Sequence, residues 1–458
     1  MLHDTIAAIA TPLGEGGLAV VRVSGPRALA VGDACFVPRG KHSFKPGAAP
    51  THTIQYGHIV RQHNIVDEVL VAVLRAPRTF TAEDTIEITC HGGLLPARLV
   101  LNAVLEGGAR LAEPGEFTRR AFLNGRLDLA QAEAVADLIH SRTELALSAA
   151  NEQLAGKLSQ RINLLRDDLV KTLAHIEAHI DFPDEDISPD TQANLLERLG
   201  RAVAFMDELL RTANEGQLLR RGIRAAIVGR PNAGKSSLLN QLLGNDRAIV
   251  SPIAGTTRDT IEETANIRGL PVIFIDTAGL REAGDELEAE GVRRSRASLA
   301  RAELILFVLD VTEPWSAADE RHLAELGDRK RIVICNKSDL PRQLALPNSL
   351  VDPGTAVDVS CRTGAGLETL KDAIKNSIWS GEIKAEMLQV MINARHQDAL
   401  RRARDATQRA LEALAAGATL ELPAMDLRIG MNAVGEVVGK TTTEDIQDSI
   451  FSQFCIGK

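Results

Sequence analysis

The segment from Gly229 to Ser236 has the composition of a phosphate-binding loop. It reads Gly229-Arg230-Pro231-Asn232-Ala233-Gly234-Lys235-Ser236 and matches G-x-x-x-x-G-K-S, a pattern whose backbone N–H groups surround nucleotide phosphates. Lys235 is expected to contact the β- and γ-phosphates, and the Ser236 hydroxyl to ligate Mg²⁺. An apolar run precedes the loop and a helical run, Ser237–Leu243, follows it. This strand–loop–helix context argues against an incidental glycine turn and predicts a nucleotide site.

Three later segments indicate which nucleotide is bound. Asp276-Thr277-Ala278-Gly279 can hold Mg²⁺ through water and contact the γ-phosphate through a backbone N–H. In Asn336-Lys337-Ser338-Asp339, the carboxylate can accept hydrogen bonds from guanine N1–H and N2–H₂, which adenine cannot supply. Ser360-Cys361-Arg362 would offer a backbone N–H to guanine O6. In this order the segments predict a GTPase and not a generic ATPase.

The segment between the phosphate loop and Asp276 is predicted to be a switch loop. It reads Ala254-Gly255-Thr256-Thr257-Arg258-Asp259, and Thr257 is the expected second hydroxyl ligand of Mg²⁺. Leu280 stands where Ras-like enzymes place the glutamine that orients the attacking water. Because an aliphatic side chain cannot orient water, hydrolysis requires a monovalent cation, a residue further along the chain, or a partner. The candidate residues further along are Arg281, Asp285, Glu286 and Glu288.

Apolar patterning predicts the strands that position these segments. Runs at Ala225–Val228, Val272–Ile275, Leu304–Leu309 and Ile332–Cys335 are typical of parallel strands covered on both faces. Residues 1–118 are predicted to form a mixed α/β domain. Its predicted elements are strands at Leu18–Val23, Val66–Leu74 and Thr85–Thr89 and a helix at Pro96–Leu105.

Helical segments rich in Ala and Leu flank the α/β unit on both sides. The first contains a predicted single apolar stripe of Leu127, Ala130, Ala134, Leu138 and Leu145. Pro183 and Pro189 mark a break, a second helical segment follows over about 190–215, and helical patterning returns at Arg395–Ala415. The simplest interpretation is a Ras-like doubly wound G domain inserted into one helical domain; two unrelated helical domains are the alternative. The predicted domains are 1–118, helical residues 119–220, a G domain at 221–378, and helical residues 379–458.

The composition sets limits on the function. The chain has 458 residues, of which 45% are hydrophobic and 25% charged, which excludes wholesale disorder. Aromatic residues make up 3%, which argues against extensive base-stacking surfaces, and the formal net charge of −9 provides no global basic field for nucleic acid. The five cysteines are scattered, and the sequence shows no signal peptide and no long apolar run. These features predict a soluble cytoplasmic protein that does not associate with a membrane.

At the level of the whole chain, the sequence resembles the MnmE (TrmE) family of tRNA modification GTPases. The G motifs are shared by many GTPases, but the N-terminal segments and the C-terminal tail are specific to this family. The segments that carry the resemblance are Ala10-Thr11-Pro12, Arg22-Val23-Ser24-Gly25, His91-Gly92-Gly93, Pro114-Gly115-Glu116-Phe117, Asp128-Leu129-Ala130-Gln131-Ala132-Glu133 and Phe454-Cys455-Ile456-Gly457-Lys458.

The resemblance implies a homodimer that forms a heterotetramer with an MnmG-like protein, the subunit that carries FAD. Such a complex adds an aminomethyl or carboxymethylaminomethyl group to C5 of the wobble uridine of certain tRNAs. The one-carbon unit comes from 5-formyl- or 5,10-methylene-tetrahydrofolate in the N-terminal domain. The folate positions of the family fall on Arg22, Glu87, Arg126 and Lys458. Arg and Lys suit the glutamate carboxylates of folate, and Glu suits the N–H groups of the pterin.

The resemblance also implies a K⁺-dependent GTPase. The K⁺ ligands would come from Asn232, Ser251, Ile253 and Thr256, which would answer the question raised by Leu280, and Glu288 matches the glutamate that positions water. The Mg²⁺ ligands remain Ser236 and Thr257. The full set of expected GTP-binding residues is Asn232, Ala233, Gly234, Lys235, Ser236, Ser237, Ser251, Pro252, Ile253, Ala254, Gly255, Thr256, Thr257, Asp276, Thr277, Ala278, Gly279, Asn336, Lys337, Asp339, Ser360 and Cys361.

Cys455 completes the predicted catalytic set, together with Lys235 and Glu288. Its sequence position alone fits an inert thiol on a frayed tail equally well. The family tail favours a role at the modification site, either as a nucleophile or as a structural aid. The competing interpretation of the whole chain is a switch GTPase in ribosome assembly or signalling without its own tRNA chemistry. The N-terminal domain and the cysteine tail argue against that interpretation.

Overall fold

The computed structural model describes residues 4–181, 189–244, 262–275, 301–347, 350, 356–379 and 391–458. The chain divides into two compact units, which are described one at a time. The first comprises Met1–Ala136, Leu154–Val203 and Arg402–Lys458, and the second comprises Asp137–Gln153 and Ala204–Arg401.

The first unit contains a seven-stranded sheet of order β3-β4-β5-β6-β2-β1-β7. Its strands are β1 (Ile6–Ile9), β2 (Leu18–Ser24), β3 (Phe36–Pro38), β4 (Thr53–Arg61), β5 (Asn64–Leu74), β6 (Thr85–His91) and β7 (Arg110–Leu111). The helices of this region are α1 (Ala28–Cys35), α2 (Leu94–Glu106) and α3 (Glu116–Leu123). The three predicted strands and the predicted helix all occur, with ends that differ by at most two residues.

Strands β2 and β6 place two charged residues directly opposite each other. The strands pair antiparallel, with Arg22 opposite Glu87. Val21 and Val23 on β2, with Ile86 on β6, lie in the core, because alternate side chains of a strand point to opposite faces. The apolar partners therefore fix the register, and the same register brings the arginine and the glutamate together on the other face.

The first helical stretch breaks where the sequence predicted continuity. It contains α4 (Leu129–His140), α5 (Glu144–Leu154), α6 (Lys157–Asp181), α7 (Pro189–Arg211) and α8 (Ala213–Arg221). The predicted single stripe is wrong for Leu145, which follows the end of α4 and packs with Leu219 and Trp379. The cause is a helix start at Thr143, whose hydroxyl accepts a hydrogen bond from the Ala146 N–H at 3.2 Å.

The second unit contains a six-stranded sheet of order β13-β12-β11-β8-β10-β9. Its elements are β8 (Ile223–Val228), α9 (Lys235–Leu243), β9 (Glu263–Ile267), β10 (Leu270–Phe274), β11 (Leu304–Asp310), α10 (Ala317–Leu326), β12 (Arg331–Asn336), β13 (Ala356–Val359) and α11 (Leu367–Ile378). Strand β9 pairs antiparallel with β10, whereas the other pairs are parallel.

Both faces of this sheet are covered, as the apolar runs predicted. Every residue of β11 is buried. Its alternate residues Leu304 and Leu306 pack with α9 and α11, and Ile305 and Phe307 pack with Leu326 of α10. This doubly wound arrangement confirms the predicted fold of the G domain.

Helices from both flanks of the α/β unit pack on one another in the first unit. The second stretch contains α12 (Ala394–Ala415), α13 (Glu421–Val438) and α14 (Glu444–Phe451). Helix α13 packs along α6, and Arg428 of α13 pairs with Glu177 of α6 at 2.6 Å. This packing confirms one helical domain into which the G domain is inserted.

Candidate functional site

The phosphate loop leaves the carboxyl end of β8 and runs into α9. Its first residue, Gly229, has a φ of +153° and lies against β11, where an added Cβ would stand 2.2 Å from the Val308 carbonyl oxygen. Only glycine allows this turn, because any larger residue would collide with the neighbouring strand. The loop is thereby placed at the edge where parallel strands of such sheets bind ligands.

The side chain of Lys235, the first residue of α9, reaches back to the residues at the start of the phosphate loop. Its Nζ donates hydrogen bonds to the carbonyl oxygens of Gly229 at 2.9 Å and Arg230 at 2.7 Å. Burial lowers the pKa of the Lys235 ammonium. A phosphate at the start of α9 would offset the free-energy cost of burying the charged ammonium, because its negative charge would pair with that group. The N–H groups at the start of the helix also favour an anion there. Ser236, the predicted Mg²⁺ ligand, lies exposed in the same first turn.

The expected base-binding segments lie at the carboxyl ends of β12 and β13. Asn336 joins them to the phosphate loop: its Nδ2 donates to the Ala233 carbonyl oxygen at 2.9 Å, and its Oδ1 accepts from the Cys361 N–H at 3.2 Å. Asn336 is only 2% exposed. Its side chain therefore forms a buried brace between the predicted phosphate loop after β8 and the predicted guanine-binding loop after β13.

Asp339 is oriented by a neighbouring hydroxyl. Ser360 Oγ donates to Asp339 Oδ1 at 2.6 Å, and this hydrogen bond lowers the pKa of the carboxyl. The carboxylate is exposed and remains ionised at neutral pH, the state that accepts hydrogen bonds from guanine N1–H and N2–H₂. Lys337 has a φ of +65°, and its Nζ pairs with Asp310 at the end of β11.

The structure therefore brings together the predicted phosphate and base segments of the G domain. The remaining predicted residues of this site lie outside the described residues. They are Ser251, Pro252, Ile253, Ala254, Gly255, Thr256, Thr257, Asp276, Thr277, Ala278, Gly279 and Glu288, together with Leu280.

A second cluster of predicted residues lies on the sheet of the first unit. Arg22 Nε donates to Glu87 Oε1 at 2.8 Å. The Arg22 guanidinium lies over the rings of Phe80 and Phe117, at 5.7 and 5.6 Å from the centroids. Arg126 lies over the same Phe80 ring at 5.2 Å. These contacts gather two cations around shared aromatic faces.

The C-terminal tail packs beside Arg22. Gly457 has a φ of +96°, and an added Cβ would stand 2.5 Å from the Ile9 carbonyl oxygen of β1. Arg22 Nη1 donates to the Gly457 carbonyl oxygen at 3.4 Å, and the Phe117 N–H donates to that of Lys458 at 3.2 Å. Burial, and then the positive charge of Arg22, lower the pKa of Lys458. The four predicted folate residues and the tail therefore lie in one region.

Sequence reasoning missed the roles of Phe80 and Phe117 in this cluster. Phe117 was available within the segment Pro114-Gly115-Glu116-Phe117, but its contact with Arg22 depends on the packing of α3 against the sheet, which no local pattern reveals. Phe80 lies in the connection between β5 and β6 and carried no signal of its own.

The five cysteines, all within the described residues, differ in accessibility. Cys35, Cys90 and Cys335 are buried, Cys361 is half-buried and Cys455 alone is exposed. Burial raises the pKa of each of the first four thiols to about 11. At neutral pH those four are protonated and poor nucleophiles, which leaves Cys455 as the accessible thiol.

No helix in the described ranges is long and apolar enough to cross a membrane. Within the same ranges, no group of three or more His, Cys, Asp or Glu side chains is arranged to hold a metal ion.

Comparison with known proteins gives matches along the whole chain. Residues 5–126 match the family described as GTP-binding protein TrmE N-terminus, and residues 129–455 match that described as MnmE helical domain. A curated protein of Chloroflexus aurantiacus named tRNA modification GTPase MnmE is 47% identical over 461 residues, covering 100% of both chains. A protein of Geobacter metallireducens with the same name is 48% identical over 460 residues, again covering 100% of both.

Among solved structures, the G domain of the FeoB iron transporter of T. maritima is 25% identical to the matched part. The match covers 34% of this chain and 99% of that one, with a TM-score of 0.26.

Proposed function

Because this chain belongs to the MnmE family of tRNA modification GTPases, it is a GTP hydrolase that takes part in tRNA modification, and we propose how its parts do so. Hydrolysis in the G domain at 221–378 is K⁺-dependent. The N-terminal domain at 1–118 binds a tetrahydrofolate whose one-carbon unit is used for C5 of the wobble uridine. The helical parts, 119–220 and 379–458, carry the tail with Cys455.

The proposed partners follow the family. The protein acts in the cytoplasm as a homodimer, in a heterotetramer with an MnmG-like protein that supplies FAD, and the product carries an aminomethyl or carboxymethylaminomethyl group. Mass spectrometry of tRNA nucleosides from a strain lacking this protein tests the proposal. The modified wobble uridine should disappear and return with the wild-type chain; its persistence would favour a switch GTPase without tRNA chemistry.

The observation that best supports the proposed GTP site is the brace formed by Asn336. It holds the loop that suits phosphates and the loop that suits guanine at a fixed separation. Lys235 would neutralise the β- and γ-phosphates, while Mg²⁺, held by Ser236 and Thr257, would supply positive charge to the same oxygens. Glu288 would orient the attacking water. Lys235 and Asp339 act at opposite ends of one nucleotide.

The proposed binding of tetrahydrofolate is supported by the charges of the N-terminal cluster. Arg22 pairs with Glu87, Lys458 interacts with both, and Arg126 shares the Phe80 ring with Arg22, so three cations lie in the cluster. Burial and then Arg22 depress the pKa of Lys458. An anionic ligand is stabilised by such a surplus of positive charge, and the glutamate carboxylates of a folate supply it. Glu87, 31% exposed, would accept from the pterin N–H groups.

Turnover of GTP should be high in K⁺ and low in Na⁺. The reason is that Leu280 cannot supply charge or orient water, so a bound cation takes the place of an arginine finger. Steady-state phosphate release in the two salts at matched ionic strength measures the effect. Asn232→Gly serves as the paired variant, because Asn232 has a φ of +63° and glycine adopts that backbone without strain. This variant should need more K⁺ for half-maximal turnover. Equal rates of the wild type in K⁺ and Na⁺ would contradict the proposed K⁺ dependence.

Glu87→Ala should weaken tetrahydrofolate binding by roughly tenfold or more, because a charge-assisted hydrogen bond contributes about 1.5–3 kcal/mol. Calorimetry with 5-formyl-tetrahydrofolate measures the dissociation constant. Glu106→Ala is the matched control, since Glu106 forms a similar ion pair with Arg61 in the same unit. GTP affinity should not change in either variant. Folate binding at full strength in Glu87→Ala would remove Glu87 from the pocket.

A further inference from the structure

His175 and His179 lie one helical turn apart on α6, and their ring nitrogens converge. The two Nε2 atoms are 3.3 Å apart, and the ring centroids are 4.8 Å apart with the planes inclined at 61°. Residues four apart on a helix share one face, so the regular backbone of α6 holds this geometry. Both side chains are half-buried, which shields them partly from water but leaves them accessible to a small ion.

The separation of 3.3 Å matches that of two ligands on one tetrahedral metal ion. At a metal–nitrogen distance of about 2.0–2.1 Å, two nitrogens at the tetrahedral angle stand about 3.3–3.4 Å apart. A hydrogen bond between two neutral imidazoles, one donating from Nε2 and one accepting, is also compatible with this distance. Such a hydrogen bond would use the same two nitrogens as an ion would, so a bound ion would replace it.

The residues between the two histidines indicate a binding site and not a hydrolytic centre. The segment reads His175-Ile176-Glu177-Ala178-His179, so the glutamate does not directly follow the first histidine as it does in the H-E-x-x-H of zinc proteases. Glu177 Oε1 accepts two hydrogen bonds from Arg428 of α13, at 2.9 and 2.6 Å. That carboxylate is thereby used in helix packing and is not aimed at water on an ion.

We propose that His175 and His179 form a two-histidine site for a divalent transition-metal ion. Imidazole nitrogen suits Zn²⁺, Ni²⁺ and Cu²⁺ better than Mg²⁺, which prefers oxygen. Water completes the coordination, as the described residues contain no third ligand arranged with this pair. The ion would join two successive turns of α6 near the turn that carries Glu177, and so would stiffen the helix that packs on α13. The site is chemically distinct from the Mg²⁺ and K⁺ positions proposed for the G domain.

Calorimetric titration of the full-length, chelator-treated protein with Zn²⁺, the ion whose tetrahedral geometry matches the spacing, tests this site. His175→Ala and His179→Ala should each weaken binding at least about tenfold, because the second ligand of a chelate acts at high effective concentration. The double variant should bind little more weakly than either single variant, since one loss already removes the chelate. His42→Ala, which removes an exposed histidine elsewhere, is the control and should bind as wild type does.

Thermal unfolding gives a second readout that does not depend on calorimetry. Saturating Zn²⁺ should raise the Tm of the wild type and of His42→Ala more than that of the double variant. Helix content from circular dichroism establishes that α6 persists in the variants, which alanine favours. Equal affinity and stoichiometry in the wild type and the double variant would overturn the site, as would losses that simply add between the two single variants.

Discussion

Asp339→Asn is expected to turn a guanine nucleotide site into one that prefers xanthine. Ser360 Oγ donates to Asp339 Oδ1, and the asparagine carbonyl oxygen can keep this bond, which turns the new NH₂ group toward the base. That NH₂ opposes the N2–H₂ donor of guanine but meets an acceptor oxygen in xanthine. Each charge-assisted hydrogen bond lost costs roughly 1.5–3 kcal/mol, or about one to two decades of affinity.

Equilibrium binding of fluorescent GDP and XDP measures this exchange. The matched control is Asp358→Asn on β13, because Asp358 is also exposed but is paired with Arg342 at 2.9 Å. This control should keep its preference for guanine. Unchanged GDP affinity in Asp339→Asn would mean that the base lies elsewhere.

Cys455→Ser should abolish or sharply reduce tRNA modification while GTP hydrolysis stays close to that of the wild type. A thiolate is a far better nucleophile than a hydroxyl at neutral pH, and Cys455 is the exposed thiol of the five. Its backbone is held in place, since the Gly115 N–H donates to the Cys455 carbonyl oxygen at 3.4 Å. The tail therefore does not need the thiol for its docking.

Comparison of Cys455→Ser with Cys455→Ala separates chemistry from packing. Modified nucleosides are measured by mass spectrometry and phosphate release by a steady-state assay on the same preparations. Both variants should fail in modification if the thiol reacts. Normal nucleoside levels in both would leave the reaction to the partner and assign Cys455 no chemistry.

The fold could be predicted from sequence where one local pattern determines one element. The runs that became β8, β10, β11 and β12 are apolar at successive residues because both faces of these strands are buried, and this pattern is visible in the residues themselves. Strand β9 was missed, since Glu263–Ile267 lies at the sheet edge and pairs antiparallel, so it carries no continuous apolar run. The break before Leu145 was missed because one hydroxyl, that of Thr143, outweighed the helical spacing of Ala and Leu.

The two candidate sites differ in how far the sequence predicts them, because one is contiguous in the chain and the other is not. The phosphate loop is contiguous, so its spacing alone identifies Lys235 and Ser236. The N-terminal cluster joins residues from β2, β6 and the tail, and its hydrogen bond between Arg22 and Gly457 spans 435 positions of the chain. Arg22 and Glu87 look like ordinary strand residues, and only the family resemblance singled them out. Their ion pair comes from strand register, which depends on the distant apolar residues of the same sheet.

Asn336 has a consequence for how this chain tolerates substitution over evolutionary time. Two hydrogen bonds of its amide reach main-chain atoms, the carbonyl of Ala233 and the N–H of Cys361. Main-chain atoms are present whatever the side chain, so a substitution at position 361 need not remove either hydrogen bond. Position 233 accepts only a small side chain, but for a different reason, because Ala233 is buried in the core. Position 336 has the strictest requirement, because aspartate lacks the donor and leucine lacks both groups. Selection on the brace should therefore act on the side chain at position 336.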